Sequence, residues 1–151
     1  MESGGWFTMY KRRILYLSCV MLIVITCSGC RNEKESEYKD GAYEAKTDID
    51  GEGFYTEASV TVENGLIAKV DWTIYDSGNK RPFDETYEEV YVGNDHYIQQ
   101  SRDDWKGSRK YSSDLIESQD LEEVDAVSGA TWTNGKFKEA VGLALEKAKN
   151  W

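Results

Sequence analysis

The sequence has few residues that hold metals or redox clusters, and few cations. Histidine occurs once, at His96, and all three cysteines lie within the first 30 residues. This excludes a zinc ribbon or a thiolate-held iron–sulfur centre in the rest of the chain. Lysine and arginine number 18 against 28 acidic residues, and the formal charge is −10. That balance excludes a nucleic-acid-binding protein, because phosphate contacts need clustered cations.

Aromatic residues, by contrast, are abundant. The chain contains 5 Trp, 10 Tyr and 4 Phe among 151 residues. Such a content excludes a disordered acidic tail and predicts a packed core. The length suits one domain of ordinary size, and no internal repeat is visible.

The first 30 residues have the pattern of an export signal. Lys11, Arg12 and Arg13 precede a run of 12 apolar residues at positions 14–25, whereas a membrane-spanning helix needs about 20. The run ends in Thr-Cys-Ser-Gly-Cys, which resembles a bacterial lipobox although Cys27 stands where leucine is usual. The resemblance implies cleavage before Cys30 and attachment of this cysteine to lipid. The alternative is an uncleaved N-terminal anchor with Cys30 as a buried small residue.

The pattern predicts three segments: a lipoprotein signal peptide (1–29), a polar tether (30–39) and a domain (40–151). Since no cysteine follows Cys30, no disulfide is expected within the domain. Cleavage would leave 15 basic and 27 acidic residues, and an anionic membrane surface repels such a domain. We therefore expect a module that is anchored in the cell membrane through Cys30 and faces the solvent on the extracytoplasmic side.

Alternating apolar residues predict antiparallel strands from residue 40 onwards. Tyr43, Ala45 and Thr47 share one face, and residues 50–53 form a predicted turn. Asn64 and Gly65 are a strong signal for a type I′ hairpin, because both positions of that turn need a positive φ. The apolar positions expected on one face of the hairpin are Ala58, Val60 and Val62, then Leu66, Ala68, Val70, Trp72 and Ile74.

The second half of the domain is predicted to be helical. Asp84 is a candidate cap for a helix over residues 84–92 that Gly93 ends, and one or two short helices are expected between residues 94 and 121. Thr133 or Asn134 is expected to cap a last helix that runs to about Lys149. Its apolar stripe comprises Phe137, Ala140, Val141, Ala144, Leu145 and Ala148. The predicted fold is α+β: an antiparallel sheet with a hairpin, short helices and a C-terminal helix.

The segment Asp-Ala-Val-Ser-Gly-Ala-Thr at residues 125–131 directly precedes this last helix. With the opening Asp-Gly-Ala-Tyr at residues 40–43 and the hairpin, it resembles the FMN-binding domain family over residues 40–149. That family includes flavin-carrying components of the sodium-translocating NADH:quinone reductase and of the Rnf complex, and also flavin-bearing lipoproteins of extracellular electron transfer. Every fixed position of the family motif is matched.

The resemblance implies that Thr131 carries FMN covalently through a phosphoester bond. A flavin transferase makes this bond in the family, with FAD as donor and a metal ion, and it recognises the residues corresponding to Asp125, Ser128, Gly129 and Ala130. Trp132 is bulkier than the usual family residue and is a candidate for either a contact with the flavin ring or the core; Asn134 replaces a common serine. The structural alternative is a loop in which Ser128 and Thr131 only cap the helix and Gly129 only turns.

Other candidate residues have simpler interpretations. His96 is expected to be a solvated surface residue, and no spacing of acidic residues indicates a metal site. Three acidic pairs are expected on solvated faces: Glu88–Glu89, Asp103–Asp104 and Glu122–Glu123. Trp72 and Tyr87 are candidates for either the flavin ring or the core.

The sequence thus leads to the hypothesis of an exported, lipid-anchored flavoprotein that carries electrons from a membrane dehydrogenase or the quinone pool to an outside acceptor. It is expected to be a carrier rather than a stand-alone enzyme. Two alternatives remain: a noncovalent FMN-binding or unflavinylated ligand-binding lipoprotein, and an accessory subunit of a membrane reductase.

Overall fold

The computed structural model describes residues 37–149. Cys30 and the predicted signal peptide lie outside these residues, as does most of the predicted tether. Within residues 37–149, none of the helices combines the length and the apolar character that crossing a membrane requires.

Four antiparallel strands form one sheet in the order β1-β2-β3-β4. The strands are β1 (Gly41–Lys46), β2 (Phe54–Glu63), β3 (Leu66–Asp76) and the short β4 (Arg81–Pro82). Asn64 and Gly65 join β2 to β3 with φ angles of 54° and 74°, so the predicted hairpin turn is confirmed. The predicted turn at residues 50–53 is also present, where Asp50 Oδ1 accepts hydrogen bonds from the backbone N–H groups of Glu52 and Phe54.

The predicted buried face of β3 is wrong in its first residues. Val62 is opposite Ile67 and Thr61 is opposite Lys69, so Ala68 is an extra residue in a β-bulge. A bulge reverses the alternation of faces along a strand. Ile67 is therefore buried, whereas Leu66 is 58% exposed and Ala68 is exposed. Beyond the bulge, Val70 and Ile74 point into the core as predicted.

Three helices follow the sheet and confirm the α+β class: α1 (Asp95–Ser108), α2 (Tyr111–Ser118) and α3 (Thr131–Ala148). α2 and α3 pack against the sheet, and α1 packs against α3. Every predicted stripe residue of α3 is buried. Phe137 of this stripe packs against Trp72, with ring centroids 5.1 Å apart, and against Tyr111 at 5.6 Å. The hydrophobic core therefore lies between α3 and the sheet.

A helix over residues 84–92 was the second wrong prediction. Only Tyr87–Tyr91 is helical, and it forms a 3-10 helix. The Asp84 carboxylate accepts hydrogen bonds from the backbone and hydroxyl groups of Thr86, which favours a tight turn. The buried Tyr87 hydroxyl donates to Asp76 Oδ2 at 2.5 Å. These contacts to a neighbouring turn and to β3 hold the segment in a short, tightly wound form.

Candidate functional site

A buried tyrosine of α2, Tyr111, holds the motif segment before α3 in place through two hydrogen bonds. The hydroxyl of Tyr111 donates to the carbonyl oxygen of Ala130 at 2.7 Å and accepts from the backbone N–H of Val127 at 3.3 Å. Tyr111 and Ala130 are both fully buried. The segment that contains Gly129 and Ala130 is thus attached to α2 at both of its ends.

Close packing against α1 explains why the motif has small residues. A Cβ atom at Gly107 would lie 2.5 Å from the Cβ atom of Ala130, a distance that side chains do not adopt. Gly129 has a φ of +83°, which favours glycine, and a Cβ atom there would lie 3.3 Å from the Cβ atom of Asp103. The backbones of the motif loop and α1 therefore come close together where both have small residues.

Thr131 is the first residue of α3, and Ala130 is at the cap position, three residues before Thr133 and four before Asn134, the predicted caps. The side chain of Thr131 is exposed, as are Asp125 and Ser128. The side chain of Ala130 cannot cap the helix, and of the first-turn N–H groups that of Thr133 is bonded to Asp104 Oδ1. The first turn of an 18-residue helix therefore presents backbone N–H groups and a positive dipole end next to the Thr131 hydroxyl, which favours a bound phosphate.

Trp132, the next residue, is held in a fixed orientation. Its indole Nε1 donates to Glu52 Oε2 at 2.8 Å, and the Lys136 Nζ atom lies 5.6 Å from its ring centroid. Lys136 forms an ion pair with Asp50. Burial would raise the pKa of Asp50, but hydrogen bonds from Lys136 and from two backbone N–H groups outweigh it and hold the pKa below its usual value.

An aromatic cavity of about 260 Å³ lies beside Trp132. The Trp132 ring meets Phe54 and Phe83 edge to face, at centroid distances of 5.0 and 5.2 Å. Across the cavity, Tyr91 and Tyr97 stack on each other at 5.3 Å. Its polar lining comprises Glu52, Gln100, Ser101 and Asp104. A concave, largely aromatic site with a few polar groups is typical of pockets for flat organic ligands, although this one is small.

The prediction that both residues of the pair Asp103–Asp104 are solvated is wrong for Asp104. Asp103 is exposed, but Asp104 is only 5% exposed. Its Oδ1 atom accepts from Thr133 Oγ1 at 3.2 Å and from Thr133 N at 3.4 Å. Burial raises the pKa of Asp104, and the hydrogen bonds from Thr133 only partly oppose this. Thr133 was a predicted cap, and its position inside the helix is explained by this contact with α1.

The remaining candidate residues lie on the surface or are packed against other side chains. His96 is exposed on α1, as predicted. Trp72 packs against Phe137 in the core, and Tyr87 is buried against Asp76. Three residues of the acidic pairs form ion pairs: Glu88 with Arg102, Glu89 with Arg81 and Glu122 with Lys138. Within residues 37–149, no group of three His, Cys, Asp or Glu side chains is arranged for a metal ion.

Most of the aromatic residues that line the cavity are not predicted from the sequence. Phe54, Phe83, Tyr91 and Tyr97 come from four separate segments, and none stands near the motif in the sequence. A glycine within a helical pattern is a signal of close packing, so Gly107 could have indicated that α1 contacts the motif. No local signal indicates which aromatic residues meet there.

Comparisons with known proteins give one family and one fold. A family model described as FMN-binding domain matches residues 49–146. A crystal structure of a protein from Clostridium perfringens is similar over 74% of this chain and 88% of its own, with a TM-score of 0.53 and 24% identity. A solution NMR structure of a protein from Clostridium thermocellum covers 72% of this chain and 91% of its own, with a TM-score of 0.44 and 24% identity. No curated protein matches the chain.

Proposed function

This chain belongs to the FMN-binding domain family, and we propose that it carries FMN covalently on Thr131 and serves as an electron carrier outside the cytoplasm. The family match supports FMN as the cofactor. The observation that carries the covalent proposal is the position of Thr131: an exposed hydroxyl on the first residue of α3, at the end of a motif loop that two helices fix.

The residues at this site fit FMN. The N-terminal turn of α3 offers N–H groups for a phosphate that is esterified to Thr131. Trp132 lies in the same turn and lines the aromatic cavity, and its indole is fixed by Glu52. A Cβ atom at Gly129 would press on Asp103, so the loop keeps its shape only with glycine there. When bound, FMN supplies one- and two-electron redox chemistry, and the protein supplies position and surroundings.

The proposed attachment involves a second enzyme. A threonine hydroxyl is a weak nucleophile, and its attack on the diphosphate of FAD needs activation and a metal ion. A flavin transferase would supply both. Asp125 and Ser128 are exposed beside the acceptor, where this enzyme can contact them.

Export and anchoring complete the proposal. The basic residues 11–13, the apolar run and Cys30 favour a lipid anchor on the extracytoplasmic face of the cell membrane. A membrane dehydrogenase or the quinone pool would then reduce the flavin, and an acceptor outside would reoxidise it. The acidic surface of the domain favours solvent exposure over contact with anionic lipid.

The intact mass of protein produced together with a flavin transferase tests the attachment. We expect a gain equal to FMN less one water, no gain in Thr131→Val, and a retained gain in Thr131→Ser, which keeps the hydroxyl. Asp125→Ala should reduce loading although the acceptor remains. Covalent flavin on Thr131→Val would refute the proposal.

A noncovalent mode of binding is the second candidate, and the aromatic cavity favours it because such a site can hold a flavin ring without a bond. Precipitation with trichloroacetic acid separates the two. A yellow pellet means covalent flavin, whereas flavin left in the supernatant means noncovalent binding.

A further inference from the structure

The buried Asp104 has one carboxyl oxygen without a partner. Asp104 Oδ1 is bonded to Thr133, but among residues 37–149 no group donates a hydrogen bond to Asp104 Oδ2. Asp104 is 5% exposed and lines the aromatic cavity. Among the buried side-chain nitrogen and oxygen atoms of residues 37–149, only Thr56 Oγ1 has no hydrogen-bond partner. Asp104 Oδ2 is therefore accessible from the cavity, where it can accept a hydrogen bond from water or from a ligand.

Asp104 is held by hydrogen bonds and not by a cation. Its Oδ1 atom accepts from Thr133 N in the first turn of α3, where the positive end of the helix dipole favours a carboxylate. None of the ion pairs within residues 37–149 includes Asp104. A donor group of a ligand is therefore a partner that Oδ2 can take in place of water.

We propose that Asp104 is a flavin-contacting residue, whose Oδ2 atom accepts a hydrogen bond from the imide N–H on the polar edge of the ring while the aromatic walls pack against the ring. This inference rests on the proposed function, since it takes flavin as the ligand of the cavity. The chemistry is complementary: the ring has flat apolar faces and one edge with an N–H donor, and the cavity has aromatic walls and a carboxyl acceptor, Asp104 Oδ2, in its polar lining.

Such a contact has an electrostatic consequence for the cofactor. A carboxylate beside the ring opposes the addition of electrons, because the reduced ring gains negative charge in surroundings of low dielectric constant. Asp104 should therefore lower the midpoint potential of the bound flavin. A carboxylate further from the ring would have a smaller effect, because the electrostatic interaction weakens with distance.

The test compares Asp104→Asn with Asp103→Asn in FMN-loaded protein at pH 8, by redox titration with dithionite. Both variants lose one acidic group from neighbouring positions on α1, and Asp104→Asn keeps the Oδ1 acceptor for Thr133. We expect Asp104→Asn to raise the midpoint potential clearly more than Asp103→Asn does. A shift equal to or smaller than that of the control overturns the inference, and thermal melting verifies that both variants fold.

Failure of the proposed function is recognised separately, by the intact mass. If wild-type protein gains no FMN mass, covalent attachment is refuted, and the contact is then tested with riboflavin by fluorescence titration. Binding that weakens tenfold or more in Asp104→Leu, but not in Asp103→Asn, supports the contact. Equal binding by all three proteins, or none by the wild type, overturns it.

Discussion

The hydroxyl of Tyr111 on α2 donates a 2.7 Å hydrogen bond to the carbonyl oxygen of Ala130, the residue directly before the proposed flavin acceptor. The same oxygen accepts from Asn134 N at 3.1 Å and shares the single hydroxyl proton of Thr133 with Asp104 Oδ1, the two oxygens lying 2.9 and 3.2 Å from Thr133 Oγ1. The start of α3 is therefore fixed by α2 and by its own first turn. An acceptor hydroxyl that a separate enzyme must find benefits from this fixed position.

Tyr111→Phe should destabilise the protein by about 1 kcal/mol, because it removes a buried hydrogen bond and leaves Val127 N–H without its acceptor. Urea unfolding measures the loss, and amide exchange at Val127 should become faster. Tyr43→Phe is the matched control: its hydroxyl bonds an exposed carbonyl, that of Lys39, which water can satisfy. An equal loss in both variants would contradict the buried role of Tyr111.

Gly107→Ala should destabilise the protein by about 1–3 kcal/mol through overpacking against Ala130, although alanine favours helices. It should also reduce flavin loading, because the motif loop must move. Gly135→Ala on α3 is the control, since a Cβ atom there meets nothing within 4 Å, and it should stabilise by up to about 1 kcal/mol. Urea titrations and intact mass measure both effects, and a stabilised Gly107→Ala would show that the contact is looser than described.

The ion pair between Asp50 and Lys136 should contribute a coupling energy of about 0.5–1 kcal/mol at pH 7, measured in a double-mutant cycle with Asp50→Asn and Lys136→Met. The folded-state pKa of Asp50 lies below its unfolded value of about 3.9. The contribution is therefore complete above that value and is lost as the pH falls through the folded pKa. The more exposed pair Lys46–Glu57 should show weaker coupling. Coupling that persists unchanged at pH 2 would contradict this assignment.

Asp104 should give the opposite dependence on pH. Because its pKa is raised in the folded state, the folded protein binds this proton more tightly than the unfolded chain does. Stability from this group is greatest below its unfolded pKa of about 3.9 and falls as the pH rises through the folded pKa. The melting temperature of Asp104→Asn should therefore exceed that of the wild type more at pH 7 than at pH 4. A difference that does not change with pH would be inconsistent with a buried carboxylate.

Lipid anchoring remains a prediction from residues outside the described part of the chain. Cys30→Ala should release the protein from membranes in cell fractionation, because the lipid acceptor is lost. Cys27→Ala should stay membrane-bound, since Cys27 only occupies the usual leucine position of the lipobox. Unchanged membrane partition of Cys30→Ala would refute lipidation.

The sequence predicted those features that depend on local chemistry. Asn64 and Gly65 tolerate positive φ, which is sufficient to define a hairpin, and the spacing of Phe137, Ala140 and Ala144 is sufficient to define the buried face of a helix. The family motif was identified for the same reason, because its residues are contiguous. Each of these signals lies within one turn or one helix.

Features that depend on distant partners were not predicted. Asp104 lies beside Asp103 and has the composition of a solvated face, yet its partner Thr133 is 29 residues away. The sequence predicts Thr133 as a helix cap because threonine favours that position. In the structure Thr133 lies inside α3, and its hydroxyl contacts Asp104 of α1. The bulge at Ala68 is likewise a property of the pairing between β2 and β3, since nothing in the alternation of β3 alone marks an extra residue.

The contact between Tyr38 and Lys149 determines where an anchored domain would present its cofactor. The two residues form an antiparallel bridge, and Lys39 N donates to Ala148 O, so the start of the described chain lies at the C-terminal end of α3. Thr131 is at the opposite end of this 18-residue helix, about 27 Å away at 1.5 Å per residue. If Thr131 carries FMN as proposed, the length of α3 separates the cofactor from the point at which the chain enters the domain. A tether that joins Tyr38 to a lipid anchor would then be attached at the end of α3 opposite to the proposed flavin.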